Sequence, residues 1–268
     1  MNILIIGGGN MGLTYAKSFL EAHVMKAEDL MILEKSEERA AHLSTQNVGT
    51  VYGSAADCLE KADLIVFAVK PQDTPTLFPL LKPHVDDQQV FLSIMAGVRM
   101  DYIRAELGVT KIIRAMPNLP AQIGMGMTAF TSSDEVTRIE LVTVQNLLNT
   151  TGKAIYLDTE KLIDAATAIS GSGPAYVYYY MNAMIEAAKK LGFSESQAEL
   201  LVGQTFMGSV HLENRNKLSC KEWIAKVSSK GGTTEAAIKK FDSNTVHDHI
   251  IEGLEAAHGR AIELGKKE

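Results

Sequence analysis

The sequence predicts an α/β protein, with a doubly wound, largely parallel sheet in the first part of the chain and an all-helical second part. Three observations carry this. Short apolar runs alternate with helix-compatible segments up to about Leu157. The first run ends in a glycine-rich turn of GxGxxG form, Gly7-Gly8-Gly9-Asn10-Met11-Gly12. After Asp158 the strand-like runs stop and long helical segments follow.

Asn2-Ile3-Leu4-Ile5-Ile6 reads as a strand buried on both faces. Leu13 through Leu20 then reads as helix. In such a strand–turn–helix, the first glycine (Gly7) makes the tight bend, Gly9 lets backbone approach a pyrophosphate, and Gly12 lets the helix pack close. The helix N-terminus offers unpaired N–H groups to the phosphates. A second strand, Leu30-Met31-Ile32-Leu33, ends at Glu34, roughly twenty residues past the motif, as a Rossmann-type dinucleotide site requires. An ordinary glycine-rich turn is the alternative; the flanking strand and helix favour the nucleotide.

Further strands are expected at Leu64-Ile65-Val66-Phe67-Ala68, Val90-Phe91-Leu92-Ser93-Ile94 and Lys111-Ile112-Ile113-Arg114-Ala115. Helices fit from Glu37 to Leu43, Thr76 to Leu81 and Met100 to Leu107. Met127 to Phe130 and Ala154 to Leu157 read as late strands around a helix near Asp134 to Leu148. This alternation predicts a parallel sheet that binds its ligand beyond the carboxyl ends of its strands.

In the second part, Ser172-Gly173-Pro174 opens a helix that runs to Leu191 and stops at Gly192. A second helix, from Ser196 to Leu212, is apolar around much of its circumference. Such helices need cover on more than one side, which predicts a homo-oligomer built through this half. The expected division is a dinucleotide-binding domain over 1–158 and a helical dimerisation and substrate-binding domain over 159–268.

The chain has 268 residues, 46% hydrophobic and 22% charged, a composition that fills a core. A net charge of −6 without a basic block argues against nucleic acid. Cys58 and Cys220 stand apart without CxxC spacing, which fits a reducing compartment. No apolar run reaches the roughly 18 residues of a membrane span, and the N-terminus reads as a strand rather than a signal peptide. A cytoplasmic protein is expected. His247 and His249 lie two apart, on different faces of a helix, so no metal site is expected.

Three loops follow strand ends and could meet a nicotinamide: Ala68-Val69-Lys70-Pro71, Met95-Ala96-Gly97 and the loop from Ala115 through Asn118 to Pro120. Each alone could be a plain connection. A fourth stretch, Val227 to Ile238, is a glycine turn opening a helix, with Ser229, Gly231, Gly232, Thr233 and Thr234 at its head. Its free N–H groups and hydroxyls suit a small carboxylate; a capped helix with a glycine hinge reads equally well from the residues alone.

The Ser-x-Gly-Gly-Thr-Thr-x-x-Ala core of that stretch resembles the signature of pyrroline-5-carboxylate reductases. Ala68-Val69-Lys70-Pro71, Met116-Pro117-Asn118 and Ser170-Gly171-Ser172-Gly173-Pro174-Ala175-Tyr176 are similar to that family's other blocks, in the same order over nearly the whole chain. The resemblance implies reduction of 1-pyrroline-5-carboxylate to L-proline by hydride from NAD(P)H, and a Rossmann domain followed by a helical dimerisation domain. It further implies dimers that assemble into decamers. It assigns Ser229, Gly231, Gly232 and Thr233 to the substrate carboxylate and Thr234 to the ring nitrogen. The cofactor set becomes Ile6, Gly7 to Gly12, Glu34, Lys35, Ser36, Ala68 to Pro71, Met95 to Gly97 and Asn118.

Glu34 would favour NADH, by bonding a ribose 2′-OH and repelling a 2′-phosphate, whereas Lys35, Ser36 and Arg39 could hold that phosphate. Family habit tips the expectation to NADPH, with NADH possible. Three positions depart from the family pattern: Lys230 replaces a proline, Asn214 to Ser219 replaces a His-Pro step, and an asparagine is missing near Ala55. Two rivals remain. One is a β-hydroxyacid dehydrogenase, although its helical lysine has no counterpart at Tyr176, Val177 or Tyr178. The other is a reductase-like regulator that binds nucleotide without turnover.

Overall fold

β1 (Ile3–Ile6) is wholly buried, and its alternating side chains supply both faces of the sheet. Ile3 and Ile5 join Tyr15, Ala16 and Phe19 of α1 (Asn10–Glu21) on one face. Leu4 and Ile6 join Phe67, Phe78 and Leu81 on the other. Each fully buried branched side chain contributes about 1.5–3 kcal/mol, which is why these runs settle as central strands. The chain continues through β2 (Leu30–Leu33), α2 (Glu37–Ser44), β3 (Thr50–Tyr52), β4 (Leu64–Phe67), α3 (Thr74–Leu81), β5 (Val90–Ser93) and α4 (Met100–Leu107). Then come β6 (Ile112–Met116), β7 (Gly126–Ser132), α5 (Arg138–Asn149) and β8 (Gly152–Tyr156). This computed structural model describes residues 1–266.

The eight strands lie in the order β3-β2-β1-β4-β5-β6-β7-β8. From β3 to β6 all pairs are parallel, giving the doubly wound dinucleotide-binding order, with the topological switch between β1 and β4. Two features depart from the sequence expectation. β3 was not anticipated, because Thr50–Tyr52 is partly exposed and carries no apolar run. β7 runs antiparallel to β6, because only a short 3-10 turn, Leu119–Ile123, joins them and a parallel return needs a longer crossover.

By contacts the described residues form two units: Met1–Pro174 with the chain from Ala257 onward, and Ala175–Ala256. α6 (Lys161–Ala166) and a π turn (Thr167–Gly171) lie beyond the expected boundary at 158 yet belong to the first unit. Buried Arg114 of β6 explains this: it pairs with Glu160 at 3.1 Å and Asp164 at 2.7 Å. The second unit spans most of α7 (Gly173–Lys190), then α8 (Glu195–Asn214), α9 (Cys220–Val227), α10 (Thr233–Ser243) and the start of α11 (Val246–Leu264). Ser194 and Ser219 start α8 and α9 with capping boxes. These helices bury little: Tyr179 is 76% exposed, Leu200 72% and Met207 58%. No helix among the described residues is long and apolar enough to cross a membrane.

Candidate functional site

The turn after β1 sits at the switch point. Gly7 has φ +102°, its N–H donates to the Leu33 carbonyl at 2.9 Å, and a Cβ there would lie 2.8 Å from the Ala68 carbonyl oxygen. Only glycine fits both the conformation and the approach. A Cβ on Gly12 would run into the Gly7 carbonyl, so α1 packs directly on the turn. Gly9 is the opposite case: a Cβ there meets nothing within 4 Å. Its open side lies at the N-cap of α1, which has no side-chain cap. The first-turn N–H groups therefore face free space, the geometry that receives a phosphate. The turn fits a dinucleotide.

A groove of about 760 Å³ runs from this turn along the ends of β1, β2 and β4. Ile6, Gly7, Gly9, Glu34, Lys35 and Ala68 to Lys70 line it, joined by Arg39 and Asp73. A second recess of about 600 Å³ adjoins it through Gly9, Arg39 and Ala68 to Lys70, and adds Gly8, Asn10, Met11 and Ile94. Most of the expected cofactor residues thus converge. Gly53, Ser54 and Thr76 also line the groove and escaped sequence reasoning, because they follow the unrecognised β3 or open α3.

Several expected residues have other duties. The Glu34 side chain is 3% exposed and turned inward. It accepts the Gly8 N–H at 3.1 Å, the Ser36 N–H at 2.9 Å and an Arg39 Nη1–H at 3.3 Å. The Ser36 hydroxyl caps α2 by accepting the Arg39 N–H. Lys35 pairs with Asp73 at 3.0 Å. Pro71 starts a 3-10 turn that leads into α3. Met95 is buried, and Gly97 packs on Leu264, so Ile94 represents that loop in the recess rather than Met95, Ala96 or Gly97. Asn118 spends its amide on the fold: Nδ2 donates to the Ser170 carbonyl at 3.1 Å and Oδ1 accepts the Met127 N–H at 2.9 Å.

In the second unit, Gly232 is the N-cap of α10 and supplies no side-chain cap. Gly231 has φ +74°, the left-handed conformation that the turn needs. The Gly231 N–H is taken by Glu235 Oε2 at 2.6 Å, which removes it from the free donors expected there. That hydrogen bond, with the Lys239 ammonium, holds the Glu235 carboxyl below the usual carboxylate range. Thr233 and Thr234 stand in the first turn of α10, with Thr234 half-buried, and Ser229 is exposed.

Residues 160–264 match the family model described as pyrroline-5-carboxylate reductase dimerisation, and residues 2–97 match one described as NADP oxidoreductase, coenzyme F420-dependent. A pyrroline-5-carboxylate reductase of Pseudomonas aeruginosa is 34% identical over 266 residues, covering 99% of this chain and 97% of the relative. The pyrroline-5-carboxylate reductase structure from Coxiella burnetii superposes with a TM-score of 0.90 at 30% identity, covering 98% of each chain. The Plasmodium falciparum pyrroline carboxylate reductase structure, with NADP bound, gives 0.89 at 27% identity, covering 99% of this chain and 98% of that one. In sequence over its full length, and in fold, the chain belongs to the pyrroline-5-carboxylate reductase family.

Proposed function

We propose that this chain reduces 1-pyrroline-5-carboxylate to L-proline with NADPH, the last step of proline biosynthesis, with NADH as a lesser donor. The observation that carries the reading is the open groove at the β1/β4 switch point, where Gly9 and the uncapped head of α1 leave room and donors for a dinucleotide. It is supported by the full-length relatives and by the NADP bound to the Plasmodium neighbour.

NADPH, when bound, supplies the hydride. The first unit's part is to hold it. The N–H groups of α1's first turn take the pyrophosphate, and Gly7, closed against Ala68, keeps the turn in shape. In the second unit, the Gly232 N–H closes the turn on the Ser229 carbonyl at 3.0 Å, so the Thr233 N–H, with the Ser229 hydroxyl, takes the substrate carboxylate at the positive end of α10. The Thr234 hydroxyl is assigned to the ring nitrogen. A protonated cyclic imine is already an electrophile, so correct positioning supplies much of the rate.

The division of labour proposed is nucleotide binding in 1–158 and substrate binding and dimerisation in 159–268. The exposed apolar side chains of α7 and α8 support a homodimer, and dimers that assemble further, as far as a decamer, are part of the proposal. The proposed compartment is the cytoplasm.

The test follows NAD(P)H oxidation with pyrroline-5-carboxylate for the native chain and for Thr234→Val. Loss of a hydrogen bond to a charged group, about 1.5–3 kcal/mol, lowers kcat/KM roughly 10- to 100-fold, with NADPH affinity unchanged. A native chain that binds NADPH without turnover supports the regulator reading instead. Unchanged kinetics in Thr234→Val remove the role of that hydroxyl.

A further inference from the structure

An acidic residue at the end of the second strand ordinarily accepts the ribose 2′-OH and keeps out a 2′-phosphate. Glu34 holds that position and borders the groove, but its carboxylate is occupied within the protein. Its side chain is 3% exposed, and both oxygens are engaged within the protein. Oε2 accepts from the Gly8 N–H and the Arg39 guanidinium, and Oε1 accepts from the Ser36 N–H. One carboxylate thus fastens the glycine turn after β1 to the head of α2. It also draws Arg39 over the groove, where 55% of that side chain remains exposed. Arg39, Lys35 and Lys70 line the groove against two carboxylates, Glu34 and Asp73. A guanidinium offers a planar fork of donors that matches a phosphate, and Glu34 leaves part of that fork free.

We propose that Glu34 is a buried anchor joining the glycine turn to α2 rather than a reader of the ribose, and that through it Arg39 is set to bind the 2′-phosphate of NADPH. The acidic residue therefore works in favour of the phosphorylated cofactor. This deepens the NADPH reading above and rests on it.

Direct binding separates the two roles. Calorimetric Kd values for NADP⁺, NAD⁺ and the fragment 2′,5′-ADP are measured on the native chain, Arg39→Ala and Glu34→Gln, with the melting temperature of each taken without ligand. Glu34→Gln puts an amide where two backbone N–H groups need an acceptor. It should lower the melting temperature and weaken both dinucleotides by loosening the turn, NADP⁺ more than NAD⁺ because Arg39 loses the partner that sets it. Arg39→Ala should weaken NADP⁺ and 2′,5′-ADP about tenfold or more, the usual scale of a charged hydrogen bond, and leave NAD⁺ nearly unchanged. Tighter NADP⁺ and weaker NAD⁺ binding by Glu34→Gln, at an unchanged melting temperature, would show a ribose reader and overturn the proposal. If Glu34→Gln does not fold, the anchoring role stands, and the Arg39→Ala ratio alone tests the rest: equal losses for NADP⁺ and NAD⁺ overturn it. A native chain that binds neither dinucleotide defeats the nucleotide reading itself, a result distinct from either.

Discussion

Arg114→Met is the most exposing test of how the first unit is held together. Arg114 projects from β6, is 1% exposed, and reaches Glu160 at 3.1 Å and Asp164 at 2.7 Å. Glu160 also accepts the Met100 N–H at 2.8 Å, so one buried cation fastens the sheet to α6 and to the head of α4. Removing one partner of a buried ion pair costs about 3–5 kcal/mol, because the other charge stays behind unpaired. Here the carboxylates keep 15% and 14% exposure and Glu160 keeps its Met100 donor, which puts the cost near the lower end, about 3 kcal/mol. For a chain of this size each kcal/mol moves the melting temperature by about 2–4 °C, so Arg114→Met should melt about 6–12 °C below the native protein. Scanning calorimetry at one fixed protein concentration measures this without confusion from subunit association. Arg114→Met combined with Glu160→Gln and Asp164→Leu removes the stranded charges, along with the Arg114 Nε–H that has no partner, and should recover most of the loss. A single substitution that melts within about 2 °C of native would refute the reasoning, since it would mean that water already carries the two carboxylates.

Two further outcomes follow from other parts of the molecule. Leu200, 72% exposed on α8, lines an apolar groove with Leu201, Gln204, Gly208 and Leu212; Leu200→Asp should lower the mass by sedimentation while far-UV circular dichroism stays native, and an unchanged mass removes α8 from the interface. At Glu140, burial raises the carboxyl pKa but the hydrogen bonds from Lys111 and Thr137 more than offset it, so the pKa in the folded chain lies below its ordinary value. That contribution to stability is full above the unfolded carboxylate pKa, about 4.3, and is lost as pH falls through the lower folded value. Lys111→Met should therefore melt lower than native at pH 7, with the gap closing toward pH 3; a gap that is constant with pH would refute the pairing.

The elements that sequence alone located are those whose physics is local. β1, β2 and β4 carry continuous apolar runs and β5 and β6 carry runs with a single polar residue, α4 was located to the residue, and the glycine turn announces itself because only glycine tolerates φ +102° against Ala68. The family signature at the head of α10 is likewise a run of neighbouring residues. β3 was hidden because half-exposed Thr50–Tyr52 has no apolar contrast, and the antiparallel β7 because strand direction depends on what lies beside it. The duties of individual polar groups belonged to the tertiary structure entirely. Glu34 turns inward because Gly8, 26 positions earlier, needs an acceptor; Asn118 serves Ser170 across 52 positions; and the Gly231 N–H is claimed by Glu235. A backbone conformation or an apolar run is written in adjacent residues. The partner of a buried donor is set by which distant segment the fold brings within hydrogen-bonding distance.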